Sequence, residues 1–484
     1  MPGHKAEPPF RILVMTDTKR SHYNLTFFAL ATGAIAFTLL QSMVSPALPE
    51  IQRELGTTTS AVTWVLTGFL LAASVATPIL GRLGDMFGKE RMLLVALGGL
   101  WIGTLVAALA SSIEVMIAGR LIQGLGGAVF PLSFGIIRDE FPAHRIPTGI
   151  AMVSAIMGIG AGAGIVLAGP IVDGLSYHWL FWFPLVAITI ALITTVRFVP
   201  ESPVKTPGRI NWLGAALLSS WLVALLYGIS RASAWGWTSP QFLGLMALAA
   251  GLASTWVRVE FRASDPLIDM QMLRQRGVWT TNLTGLLLGF GMFGAFVLIP
   301  QLAQLPASSG YGFGATVTQS GLFMLPTTLM MLVVSPIAGR LTERVGAKVP
   351  LVIGTACASL SFVVLAVAHG AEIDLYAASA LLGVGIGMAF ASMANLIVGF
   401  VDPRQTGAAT GMNSITRTVG GSLGAQILAS VLTANVAASG LPLETGFTAG
   451  FAISAGAVGL AFLAALAVPT PGAARAASPA PVAA

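Results

Sequence analysis

The sequence predicts an all-α polytopic membrane protein of fourteen spans, built as two pseudo-symmetric six-helix bundles with two extra transmembrane helices between them. Three observations carry that prediction. The 484 residues are 55% hydrophobic and only 9% charged, with mean hydropathy +0.84, whereas soluble domains carry about a quarter charged residues. Apolar runs of the roughly 20 residues needed to cross the hydrocarbon core recur from near residue 25 to near residue 468. Finally, GRLGDMFGKE at 81–90 is answered by GRLTERVGAK at 339–348, with Gly, Arg, Leu, an acid and a second Gly in register. LIQGLGGAVF at 121–130 and LLGVGIGMAF at 381–390 echo the duplication more faintly. Two parallel halves are a transporter architecture.

The spans fall near 25–47, 61–81, 92–110, 115–137, 149–172, 179–199, 211–229, 240–258, 278–302, 318–338, 349–368, 375–400, 408–432 and 447–468. This divides the chain into a cytoplasmic tail (1–24), a first bundle (25–199), a linker carrying the two extra spans (200–277) and a second bundle (278–468). A Pro/Ala/Ser-rich tail (469–484), expected to be disordered, follows. Lys19 and Arg20 before the first span resemble the start of a signal peptide. The apolar stretch is too long for one, and Pro46, Pro49 and EIQRE follow in place of a small-residue cleavage site. With the N-terminus inside, 21 of the 25 Lys and Arg fall in inside segments, which places both termini in the cytoplasm. The net charge of +6 is then a consequence of topology and implies no nucleic-acid partner. The single Cys357 lies in an apolar run, so neither a disulfide framework nor a thiolate metal site is expected.

The loop after the second span has a gating chemistry. Gly81, Gly84 and Gly88 permit tight turns and close helix approach. Asp85 can accept hydrogen bonds from amides at a neighbouring helix N-terminus, where the macrodipole favours an anion. Lys89 and Arg91 can pair with Asp139 and Glu140 at the inner end of the fourth span. Such contacts hold one side closed and break when it opens. The alternative, that these charges only solvate a loop, accounts for the basic residues but not for Asp85 among spaced glycines.

GRLGDMFGKER resembles the glycine/aspartate loop signature of the major facilitator superfamily. Together with GRLIQGLGGAVF in the fourth span, GAGIVLAGPIVDG in the fifth and the two central extra spans, the chain is similar to that family's fourteen-span drug/proton antiporter branch. The resemblance implies alternating access, with substrate bound between the halves. For Arg120 it implies a part in proton coupling, through control of a carboxylate's pKa. By residue count Arg120 lies roughly 7 to 8 Å below the outer end and shares a face with Gln123 and Gly124. The competing reading is an arginine that snorkels to the outer interface. Arg417, nine residues into its span, poses the matching question in the second half.

In the fifth span Gly160, Gly164 and Gly169 leave grooves for a neighbouring helix, and Pro170 removes a backbone hydrogen bond. A related glycine/proline signature accompanies exporters in the family; Ile165 and Asp173 depart from it. Of the 19 acids, only Glu114 and Asp173 lie near the membrane, both toward the outer face. The family often carries a first-span aspartate, and here LQSM places Gln41 there. A cationic drug thus lacks its usual counter-charge, and a proton carrier is missing from that place. Asp173 is the remaining carrier candidate, or else an interfacial carboxylate capping His178 or a loop amide. Cavity candidates are Gln41, Trp64, Gln123, Asn282, Met292, Gln301, Asn395, Asn413 and Arg417, each equally able to serve as an interhelical contact.

The expected function is export of amphiphilic small molecules such as drugs or antibiotics across the plasma membrane, by proton antiport. The partners are then substrate, protons and the bilayer. Export of a lipid-like or endogenous metabolite, or uncoupled facilitation, is the alternative. A membrane enzyme would need His, Asp, Glu or Cys converging at membrane depth, and the five histidines are scattered through tail, loops and span ends. No nucleotide-binding glycine/lysine loop occurs, so ATP is not expected as the energy source, and neither cofactor nor metal is expected.

Overall fold

The structure, a computed structural model, describes residues 23–206, 208–437 and 441–470. Most of the two expected tails, with Lys5, Arg11, Lys19, Arg20 and Arg475, lies outside that range. Among the described residues the regular structure is all helical, apart from one isolated bridge, Val436 to Pro442.

In the first half the helices are α1 (Tyr23–Glu54), α2 (Thr59–Phe87), α3 (Lys89–Ala108), α4 (Ile113–Gln123), α5 (Val129–Glu140), α6 (Ile146–Gly174) and α7 (Trp179–Phe198). The extra pair is α8 (Trp212–Trp235) and α9 (Pro240–Arg262), followed by the short α10 (Met270–Arg274). The second half holds α11 (Arg276–Gln304), α12 (Val317–Val345), α13 (Lys348–Val367), α14 (Glu372–Phe400), α15 (Thr406–Ala434) and α16 (Glu444–Ala467). Local chemistry marks the boundaries. Thr58, Ser112, Asn211 and Ser239 accept hydrogen bonds from first-turn amides of α2, α4, α8 and α9. Thr316 and Gln319 close a reciprocal capping box on α12.

Thirteen stretches of described helix are long and apolar enough to cross a membrane. The expected span 408–432 lies in α15, which is 29 residues long but is not one of the thirteen. Its Thr, Asn, Ser and Arg417 side chains lower its hydropathy. The expected fourth span is not one regular helix either. It is α4 and α5 joined by a 3₁₀ segment, Gly124–Ala128. There the backbone of Gly124 is pressed against Ala72 and Ala73 of α2.

Two separate apolar cores result. Leu40, Phe69, Leu97, Phe130 and Phe181 lie in the first, and Leu298, Phe362, Leu382, Phe447 and Phe451 in the second. The bundles meet along two seams, α6 against α12 and α2 against α15. The pair α8 and α9 attaches beside the second seam: α8 lies on α2 and α15, and α9 lies on α8. A third core joins these elements through Leu71, Leu222 and Met412.

Candidate functional site

At one end of the molecule, the end bearing the loops after α2, α5, α7, α9, α12 and α14, the two bundles clasp each other reciprocally. Asp85, fully buried at the foot of α2, accepts from the Gly407 amide (3.1 Å) and the Ala408 amide (3.0 Å) in the first turn of α15. Free amides and the macrodipole make that position an anion site. One turn back, a Cβ on Gly81 would lie 2.5 Å from the Gly407 carbonyl oxygen, so the seam closes only around glycine. In the second copy of the loop, Gly339 packs on the Thr148 backbone at the start of α6, and the Thr148 hydroxyl donates to Glu343 at 2.5 Å. Glu343 stands in register with Asp85. Arg138 donates to the Val401 carbonyl (3.0 Å) and Thr406 hydroxyl (2.7 Å), while Asn395 donates to the Pro147 carbonyl (3.2 Å).

The remaining loop charges close the first bundle. Lys89 and Asp139 form a buried ion pair at 2.5 Å, to which Ser202 adds its hydroxyl. Arg91 pairs with Glu201 at 3.2 Å near the surface. Gly88 takes φ +122° with the Glu201 carboxylate against its Cα, a conformation and a space that both require glycine. The chain leaving α7 is stitched over this region. The Thr206 amide donates to the Asp85 carbonyl (2.8 Å), and its hydroxyl to the Arg404 carbonyl (3.1 Å).

Arg120 does not snorkel. It is fully buried on α4, where it donates to the carbonyls of Val65 (2.9 Å) and Leu40 (3.2 Å) and to Gln123 Oε1 (2.7 Å). Its guanidinium lies 4.2 Å from the Phe69 ring centroid. Gln123 in turn donates to the Thr104 hydroxyl at 3.1 Å. Among the described residues Nη2 has no hydrogen-bond partner and Arg120 forms no ion pair. Asp173 lies in the last turn of α6, and its side chain is outside the described residues.

The glycines of α6 face two ways. Gly160 and Gly164 pack on Thr38 and Ser42 of α1, whose Ser42 hydroxyl donates to the Gly160 carbonyl at 2.7 Å. Gly158 and Gly162 instead meet Met331 and Thr328 of α12 in the other bundle, and Gly169 meets Thr318 there. Pro170 lies inside the helix, one turn from its end.

Between the bundles, nearer the clasped end than the middle of the helices, is a cavity of about 10 Å³, space for about one water. Phe134, Ser154, Met157, Phe390, Ala394, Thr410, Asn413, Ser414 and Arg417 line it. Arg417 lies over the Phe390 ring (4.6 Å) and reaches the Met157 sulfur (3.7 Å). Asn413 donates to Asn282 at 2.9 Å. The structure therefore gathers Asn413 and Arg417, with Asn282 behind them. The other cavity candidates sit elsewhere. Gln123 belongs to the Arg120 network and Asn395 to the clasp. Trp64 stacks on Tyr227 of α8 (centroids 5.6 Å apart) because the extra helices cover that side of α2. Gln41, Met292 and Gln301 are not among the lining residues. Sequence reasoning missed the apolar walls, Phe134, Met157 and Phe390, which carry no mark distinguishing them from core residues. It also missed Glu343, whose register with Asp85 was a usable signal.

The halves, the seams and the loop signature fit one family, and the family model for the Major Facilitator Superfamily matches residues 30–425. The chain belongs to the major facilitator superfamily. Among curated superfamily relatives, the multidrug resistance protein B homolog of Mycobacterium tuberculosis is 30% identical over 403 residues, covering 81% of this chain and 73% of that protein. The tetracenomycin C resistance and export protein of Streptomyces glaucescens is 28% identical over 417 residues, 85% of this chain and 76% of that one. In fold, the chain resembles the human organic anion transporter MFSD10, with TM-score 0.63 and 19% identity over 93% of this chain and 100% of that one. It also resembles the proton:xylose symporter XylE, with TM-score 0.64 and 15% identity over 93% and 97%.

Proposed function

We propose that this multi-pass superfamily member exports amphiphilic small molecules by alternating access, with proton antiport as the driving reaction. The observation that carries the reading is the reciprocal clasp: Asp85 on the α15 amides and Glu343 on Thr148 join opposite bundles at one end, and that end opens only if both let go. The superfamily relatives named for multidrug resistance and for tetracenomycin C resistance and export supply the substrate class and the direction. The Lys and Arg tally supports a cytoplasmic clasped end, with both termini on that side of a plasma membrane. Arg120 and Asp173 remain the proposed proton-coupling residues. The unpartnered Nη2 of Arg120 supports this, since a buried donor without an acceptor is costly to maintain.

The test uses inside-out vesicles with an imposed proton gradient and a fluorescent amphiphile. Asp85→Asn weakens acceptance from two amides and is expected to abolish or greatly slow transport at normal expression. Full activity would remove the gate. A second reading, an exporter of lipid-like compounds or a facilitator independent of protons, is favoured by Gln41 at the first-span acid position. Transport unaffected by collapsing the gradient would select the facilitator.

A further inference from the structure

The cavity between the bundles holds a cation and no anion. Arg417 sits eleven residues past the start of α15, roughly 16 Å from the clasped end. It touches a thioether, which is a weak acceptor, and an aromatic face. Among the described residues it forms no ion pair. The four lining helices explain why. α15 contains no acid at all. On α6 the sole acid is Asp173, sixteen residues beyond Met157 or roughly 24 Å along the helix. On α14 the acids are Glu372 and Asp374, eighteen and sixteen residues from Phe390. On α5 they are Asp139 and Glu140 at the clasped end, with Asp139 engaged by Lys89 and Ser202. α11, which bears Asn282, also has no acid.

An ionisable side chain at this depth marks a substrate path; Arg417 is half-buried, and a cation that gives up its remaining water needs a partner. Among the described residues no acid fills that place. We propose that the substrates are amphiphiles carrying an anionic group, a carboxylate, sulfonate or phenolate, which the Arg417 guanidinium binds as the cavity widens. Asn413 and Ser414 supply neighbouring polar contacts, and Phe134, Met157 and Phe390 receive the apolar or aromatic body. A planar guanidinium suits bidentate recognition of such a group. The assignment rests on the export reading above and narrows its substrate class to anionic or anion-bearing compounds over cationic ones.

The purified full chain in proteoliposomes, with an imposed pH gradient, is presented separately with carboxyfluorescein and with the cation ethidium. Carboxyfluorescein is expected to move with the lower KM. Arg417→Gln, which removes a charge-assisted hydrogen bond, is expected to raise that KM on the order of tenfold to a hundredfold, with Arg417→Lys recovering part of the loss. If Arg417→Gln does not accumulate, competition on the unaltered protein decides: 8-anilinonaphthalene-1-sulfonate should inhibit carboxyfluorescein transport, and ethidium should not. Ethidium transport with an equal or lower KM, or an unchanged carboxyfluorescein KM in Arg417→Gln, overturns the anion assignment and leaves export standing. Movement of neither dye removes the export reading and this inference together.

Discussion

Two buried cations of the first bundle behave differently because their partners differ. Lys89 has a full counter-charge in Asp139, so Lys89→Ala strands a buried carboxylate. Loss of one partner of a buried pair costs about 3–5 kcal/mol, and thermal unfolding of the purified protein should show it as a clearly lowered midpoint. Arg120 is held instead by two carbonyls, a glutamine oxygen and a ring. Lysine keeps the charge but loses the planar fork. Arg120→Lys is therefore expected to impair gradient-driven export more than equilibrium substrate binding, read by dye efflux against dye titration; equal losses would assign it to structure. The sequence placed Arg120 within a side chain's reach of the outer interface but not its rotamer. What buries it is the approach of the Leu40 and Val65 carbonyls from α1 and α2, a tertiary fact that counting along one helix does not reveal.

Helices in this molecule are fitted to each other by the removal of side chains. The two faces of α6 give one glycine pair to its own bundle and another to the opposite one. Gly162→Val sets a branched side chain against Thr328 and is expected to hold the α6–α12 seam apart, lowering the transport rate with protein still inserted. Gly164→Val acts on α1 packing inside one bundle and should lower thermal stability instead, a contrast measurable on the same two preparations. The glycine positions were legible in the sequence; which partner each meets was not, since a spacing of two residues on a helix rotates by about 200° and splits neighbours onto opposite faces. GLGGA was equally visible, yet the 3₁₀ turn it adopts arises where α2 presses on it. Trp64 reads as a cavity residue until α8 brings Tyr227 over it. The outline of apolar runs survives translation into structure well, because bilayer thickness alone sets it.

Over the whole molecule, the duplicated loop becomes two mirrored docking sites, Asp85 with Gly81 on α15, and Glu343 with Gly339 on α6. Opening requires both to separate together if the bundles rock as rigid bodies. With Cys357→Ser as background, a Thr148→Cys, Glu343→Cys pair is expected to cross-link on mild oxidation and stop transport, with recovery on reduction. Transport unaffected by the cross-link would show that this end never parts. The repeat was readable from GRLGDMFGKE and GRLTERVGAK, but its exchange between halves was not, because pairing across a pseudo-twofold leaves no local signature. The chain leaving α7 crosses this region, with Ser202 hydrogen-bonded to Asp139 and Thr206 to Asp85 and Arg404. Its contour when extended, from residue 199 to 211, reaches roughly 40 Å. It is a tether fastened at three points, two on the first bundle and one, the Thr206 bond to Arg404, on the second. If the bundles part at this end, that bond is the one pulled, and Thr206→Val, which removes it, is expected to change the turnover rate in dye efflux; an unchanged rate would make the fastening incidental.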